Sequence, residues 1–571
     1  MSWPRPLPRL LAFALFALAC DPTDAPPAPL PKPAEKPVAK APESPPPVEA
    51  PPVAEAEAGE PEPDPPHPGP FLWVTRLSAG IYTNPDDNKA EKFAYVKRGA
   101  QVPVFAERVE GKGCPKGWLK VVTGGYICNL VGTTNANDKE ARFPPKQPNL
   151  EEVLPFLYAR NAFHGTPLYK SMPTRKKMCE YEPYACKDDK EAEAKKADKK
   201  PEGEPGAAQS DPSPELKADL NGALDAGASP AAAAAGQALG IAAGQAAANA
   251  ALGASLGEAP PEVEAKPWED EESLHEVKQE HLMVEDDPFV ARYMLKGFYV
   301  AVDKTFKWHG RTWYKTTKGL IAPADRMWQA PGPTFQGVEL DGETMKLPLG
   351  FVPGSKKSIT LYSIDPANKK LTVKASAKKW QALPLTGKTE TIAQKVYLEL
   401  VDGTFARKID VKELQPSPRP PEVGPLERWL DIDIGDQSLV AYEGDKAVYA
   451  TLVSSGKESK IKDKDHSTPR GVFRVREKHI VTTMDGDGTA AGDLPYSIED
   501  VPYVMFFHQA YATHGAFWHQ NFGHQMSHGC VNLAPLDAKW VFFFAEPRMH
   551  GGYAGAWSSE KHPGSAVVVH D

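Results

Sequence analysis

Cys530 stands in the string Ser527-His528-Gly529-Cys530-Val531-Asn532, and a second His-Gly pair, His514-Gly515, begins sixteen residues before it. A cysteine with a histidine in reach is the minimum equipment for acyl transfer. The thiolate attacks a carbonyl and the imidazole takes and returns protons. A free thiol has a pKa of about 8.5, so a neighbouring imidazolium or backbone dipole must activate it. In an extended segment His528 shares a face with Cys530. Gly529 lets backbone approach a reacting carbonyl, and the amides of Gly529 and Cys530 are candidate oxyanion donors. A backbone carbonyl near Gly515, or the Ser527 hydroxyl, is available to orient an imidazole; the residues do not choose between them.

The elements that must hold these groups read as β-structure. Leu430, Ile432 and Ile434 alternate with Asp431 and Asp433. Strands are expected over 437–442 and 447–453 around a Glu443-Gly444-Asp445 turn. Val504 to Phe507 leads towards His514, and Ala566 to Val569 closes the chain as a strand. Leu536, Trp540, Phe543 and Phe544 fall at helical spacing, which predicts a short helix packed on the sheet.

The Ser527–Asn532 string, the upstream His-Gly pair, their spacing and the turn Thr468-Pro469-Arg470-Gly471 resemble the L,D-transpeptidase (YkuD-type) catalytic domain, over residues 428–571. The resemblance implies a β-sandwich with a short helix, Cys530 as nucleophile and His514 as proton donor and acceptor. His528 is implied as a supporting active-site residue. Trp518, His519, Gly515 and Asn532 are expected to contact substrate; Asn532 matches one branch of the family, whereas another carries Arg there. The implied reaction is attack on the third residue of a peptidoglycan tetrapeptide stem, with loss of D-alanine. The acyl group then passes to a stem amine in a 3→3 crosslink, to a protein lysine, or to water, which would make the enzyme an L,D-carboxypeptidase. Two rivals are a non-catalytic wall-binding lipoprotein and a zinc peptidase. Five histidines fall within 507–531, but none makes an HExxH-type spacing, so no metal or other cofactor is expected. Asp485-Gly486-Asp487-Gly488 begins like a calcium loop and lacks the later acidic ligands, so a turn is expected.

The rest of the 571 residues reads as a chain of small modules. Short strand-like runs within 71–135 resemble bacterial SH3-like β-barrels. The pattern recurs over 150–330, where Ala291–Val302 matches Phe93–Val104 and Trp313-Tyr314-Lys315 matches Trp118-Leu119-Lys120. The second copy is expected to be split by a disordered insertion over 176–286, and a third, fainter copy to span 345–415. The fold class is therefore mostly β.

Arg5 and Arg9 precede a short apolar run from Leu10 to Ala19, which reads as a signal segment over 1–20. Ala17-Leu18-Ala19-Cys20 resembles a lipobox, with Cys20 lipidated, which implies an exported, membrane-anchored periplasmic protein. Residues 21–70 hold 19 of the 59 prolines and are expected to be an extended linker of at most ~3.1 Å per residue. Of the six cysteines, Cys114 with Cys128 and Cys179 with Cys186 make the simplest of three disulfide connectivities. The net charge of −9, with acidic and basic residues mixed, gives no reason to expect a nucleic-acid partner.

Overall fold

The computed structural model describes residues 66, 69–86, 90–186, 268, 274–487 and 494–571. The signal segment, Cys20, nearly all of the proline-rich stretch and the Ala/Gly tract lie outside the described residues.

Three seven-stranded units share one pairing diagram. The first has strands Phe71–Val74, Ser78–Tyr82, Lys92–Lys97, Gln101–Val109, Trp118–Val121, Tyr126–Cys128 and Gly132–Thr133. Its first strand pairs with the fourth and seventh, the fourth with the fifth, the fifth with the sixth, the sixth with the second, and the second with the third. Residues 157–329 repeat those pairings, and so do residues 349–414. All three place a 3₁₀ turn between strands six and seven: Asn129–Val131, Ala324–Arg326 and Lys408–Asp410. Period-two alternation carries this design. In Lys92–Lys97, Ala94 and Val96 point inward among Leu72, Val102 and Val104.

The second unit is interrupted between Thr166–Tyr169 and Val290–Met294. The expectation of a disordered insertion over 176–286 is corrected at both ends. Residues Arg175–Tyr181 form a helix capped by Thr174, whose hydroxyl accepts from the Lys177 amide at 3.3 Å. Met178 and Cys186 are buried with Tyr169 and Trp313. The carboxylate of Glu182, fully buried, is held by Tyr169 Oη at 2.6 Å and Arg311 Nη2 at 2.8 Å. Gln279–Leu282 is helical again, with Leu282 buried. Cys114 is bonded to Cys128, Cys179 is bonded to Cys186, and Cys530 is a free thiol.

The C-terminal domain is two sheets around one helix. The six-stranded sheet runs Val338–Glu339, Lys446–Leu452, Ser438–Glu443, Arg428–Asp433, Ala566–His570, Gly471–Arg474, with the last strand of the chain parallel to Arg428–Asp433. In the second sheet Val531–Leu533, Tyr511–Gly515, Tyr496–His508, Glu477–Gly486 and Gly555–Trp557 are neighbours in that order. The helix Pro535–Phe544 buries every residue from Trp540 to Phe544, as a helix between two sheets must. Pro535 opens it, where a missing N–H costs nothing. Lys478 Nζ closes it by donating to the carbonyls of Phe542 and Ala545.

The units do not hang from this domain on free linkers. The first pairs Ala94 with Ala556, and the second pairs Tyr299 in parallel with Ile498. Tyr158 Oη donates to the Asp500 carbonyl at 2.5 Å, and Glu499 Oε2 accepts from the Ala301 amide at 3.1 Å. The third unit donates from the Gly354 amide to the Phe522 carbonyl at 2.8 Å. The second unit thereby lies against Tyr496–His508, the long strand whose residues Tyr496 and Ile498 line a cleft with Cys530.

Candidate active site

Cys530 and His514 share one cleft because two short strands run parallel. Thr513 pairs with Val531, His514 with Asn532 and Gly515 with Leu533. Cys530 immediately precedes its strand, level with Ala512. Alternation puts Cys530 and Asn532 on one face, beside Ala512 and His514 on the other strand. Both line a cleft of about 680 Å³ with His528, Ser527, Trp518, Tyr511 and Tyr496.

The loop before Cys530 is pinned from behind. Ser455 accepts from the Met526 and Ser527 amides at 2.9 and 3.1 Å, and Lys457 donates its amide to the Ser527 carbonyl at 3.0 Å. Thr468 Oγ1, from the Thr-Pro-x-Gly turn, donates to the Gly529 carbonyl at 2.8 Å. Gly529 has φ +120°, and a Cβ there would stand 2.5 Å from Tyr511 Cε1. Only glycine fits that backbone.

Two expectations about this loop are corrected. The Ser527 hydroxyl donates to the Cys530 carbonyl and accepts from the Gly529 amide at 3.1 Å, so it braces the loop and does not orient an imidazole. The same bond occupies the Gly529 amide, which therefore does not point at an incoming oxyanion. The Gly515 carbonyl is the remaining candidate beside His514. It pulls the ring towards its charged form, while Nδ1 lacks a hydrogen bond among the described residues.

Burial sets the protonation of the pair. It pushes the His514 pKa down to about 4, with the Gly515 carbonyl opposing and His519 adding slightly. It pushes the Cys530 thiol up, against a lowering by the Ala512 backbone. At neutral pH the site holds a neutral thiol and a neutral imidazole. His514 also stacks on Trp518, with ring centroids 5.6 Å apart.

His528 is exposed, stacks on Tyr496 at 6.1 Å and meets the edge of His466 at 4.6 Å. His519 does not line the cleft. Its ring packs on Phe522 at 4.8 Å; Nδ1 accepts from the Asn521 amide at 3.3 Å, and Nε2 meets the Asn532 amide at 3.0 Å. A ring that accepts at Nδ1 carries its proton on Nε2, so the partner atom of Asn532 is its oxygen. The other terminus of the Asn532 amide is buried without a partner, and on this assignment it is the NH₂. His519 is thus a support for Asn532, which does line the cleft. Gly515 faces Pro502 and Ala538, away from substrate. His524 is tied to Ser355 of the third unit at 2.6 Å, and His508 packs on Phe473 at 4.7 Å. The histidines therefore disperse, and among the described residues no group of three or more His, Cys, Asp or Glu could hold a metal ion.

Sequence reading missed Tyr496, Tyr511, Gly297 and Tyr299. Tyr511 lies nineteen residues from Cys530 and carried no motif. Gly297 and Tyr299 come from the second unit, and nothing in the sequence brings that unit to the cleft.

Residues 427–569 match the family model of the L,D-transpeptidase catalytic domain, YkuD. A curated relative, the putative L,D-transpeptidase YciB of Bacillus subtilis (strain 168), is 25% identical over 138 residues, 21% of this chain. The chain spans 63% of that relative's length. Among solved structures, the catalytic domain of an E. faecium L,D-transpeptidase is 24% identical and covers 25% of this chain and 98% of its own, with a TM-score of 0.19. L,D-transpeptidase 3 from Mycobacterium tuberculosis is 16% identical over 38% of this chain and 81% of its own, with a TM-score of 0.20. The C-terminal quarter of this chain is a YkuD-type L,D-transpeptidase catalytic domain.

Proposed function

We propose that this protein is a peptidoglycan L,D-transpeptidase acting through an acyl-enzyme on Cys530. The observation that carries the reading is the single reduced cysteine among the described residues, which lines one open cleft with the neutral imidazole of His514. Cys530 Sγ attacks the carbonyl of the third stem residue as His514 takes the thiol proton. The bond to D-alanine breaks, its nitrogen receives that proton from His514, and a thioester remains. An amine then attacks the thioester, loses a proton to His514 and releases the thiol. The acceptor is a neighbouring stem, giving a 3→3 crosslink, or a wall-attached protein. Asn532, braced by His519, offers its NH₂ to the substrate backbone, and Trp518 and Tyr511 shape the walls.

We read the three repeated units as SH3-like wall-binding modules and Cys20 as a lipid site that holds the exported chain at a membrane. Incubation of the purified chain with disaccharide tetrapeptide, followed by mass spectrometry of the products, tests the function. Free D-alanine with 3→3 dimers is the expected result. Free D-alanine with tripeptide alone would make it an L,D-carboxypeptidase, and unchanged substrate would refute the reading.

A further inference from the structure

The second unit contributes more than a spacer. Its residues Gly297 and Tyr299 line the same cleft as Cys530. Tyr299 packs edge-on against Phe517 at 5.5 Å and lies 6.4 Å from Trp518, the aromatic residue stacked on His514. Tyr299 is one of three residues in register across adjacent strands: Tyr299 pairs with Arg160, and Arg160 pairs with Trp328. Cross-strand partners project from the same face. On that face Tyr158 and Ala301 form the neighbouring row, and it is buried against the catalytic domain. The row Tyr299–Arg160–Trp328 therefore leaves the cleft and runs outward, ending on a Trp328 that is 57% exposed.

Arg160 is a cation without a counter-ion among the described residues, and its Nε is buried with no hydrogen-bond partner. Its Nη2 lies 4.0 Å from where a Cβ on Gly297 would stand, and Gly297 adopts φ +99°, so the guanidinium sits beside a wall kept open by glycine. A planar donor fork between two aromatic side chains, continuous with a cleft that handles peptide, fits a carboxylate on an otherwise apolar and amide-rich chain.

We propose that the second unit completes the substrate cleft and that Arg160, flanked by Tyr299 and Trp328, binds a free carboxylate of the stem peptide. This rests on the transpeptidase reading for the identity of the ligand.

The test uses the full chain carrying Cys530→Ala, titrated calorimetrically with disaccharide tetrapeptide. Arg160→Gln in that background should weaken binding about ten-fold or more, the worth of a charge-assisted hydrogen bond. Arg160→Lys should fall between. Trp328→Ala, at an exposed position, should weaken binding about three-fold. Peptide amidated at its carboxylates should bind the parent and Arg160→Gln equally weakly. With Cys530 intact, Arg160→Gln should raise KM and leave kcat unchanged. Equal affinity of the parent and Arg160→Gln for the unamidated peptide would overturn the proposal, whatever the turnover. An acyl adduct with no Arg160 dependence would sink this inference alone. Arg160-dependent binding with no adduct would sink the transpeptidase reading alone, and neither binding nor adduct would sink both.

Discussion

The neutral resting state of Cys530 and His514 makes a quantitative prediction about thiol reactivity. At its ordinary pKa of about 8.5 a cysteine is about 3% thiolate at pH 7. Burial pushes Cys530 above the ordinary range, so its thiolate fraction at pH 7 is lower still. Forming the thiolate then costs more than about 2 kcal/mol at pH 7. His514, lowered to about 4 by burial, is uncharged there and gives no electrostatic help. The rate of alkylation by iodoacetamide, read at the Cys530 peptide by mass spectrometry, should climb about ten-fold per pH unit from 6 to at least 8.5. His514→Gln should change that profile by less than about three-fold, because it removes no charge. The same variant should cut acyl transfer by about 10²- to 10⁴-fold, the usual worth of a positioned base. A rate flat between pH 6 and 8 would reveal a preformed thiolate–imidazolium pair. It would refute the argument that burial governs this site.

Three other substitutions test the supports of the site. Gly529→Ala forces a side chain into a φ of +120° and onto Tyr511; it should cost about 1–3 kcal/mol of stability in chemical denaturation and lower acylation at least about 100-fold by displacing Cys530. His519→Ala leaves the buried Asn532 oxygen unpaired; a loss of about 1–3 kcal/mol is expected, together with slower acylation and an unchanged alkylation profile. Glu499, 7% exposed in the seam with the second unit, has its pKa pushed up to about 7 by burial, against the Ala301 amide, Lys318 and Arg292, and with Asp500 adding to the rise. A raised carboxyl pKa means stability fully present below about pH 4.3 and lost as pH rises through about 7, up to about 4 kcal/mol. Glu499→Gln should flatten that part of the curve of unfolding free energy against pH.

The catalytic strings were legible because chemistry dictates residue types locally. Cys530, His514 and the Thr468 turn are each recognisable within a few residues, and the strand alternation from Leu430 onward follows from one buried face. The repeat was legible for the same reason: Trp118 and Trp313 fill equivalent buried positions on the fifth strand of their units. The helix Arg175–Tyr181 was not read, since its polar sequence hides a packing face that depends on Tyr169 and on the Cys179–Cys186 bond. The roles of Ser527, Gly515 and His519 depend on where an oxygen or a ring points once neighbouring strands are in register, and spacing does not carry that information. Gly297 and Tyr299 were invisible as site residues because their approach to the cleft of Cys530 is a docking of folded units, fixed by side chains such as Tyr158 and Glu499.

The central claim is that Cys530 carries the acyl group, and intact-mass analysis of the full chain mixed with disaccharide tetrapeptide tests it most directly. A thioester adduct lacking D-alanine, mapped to Cys530 and absent from Cys530→Ala, is the predicted result. Release of D-alanine that persists unchanged in Cys530→Ala would contradict it.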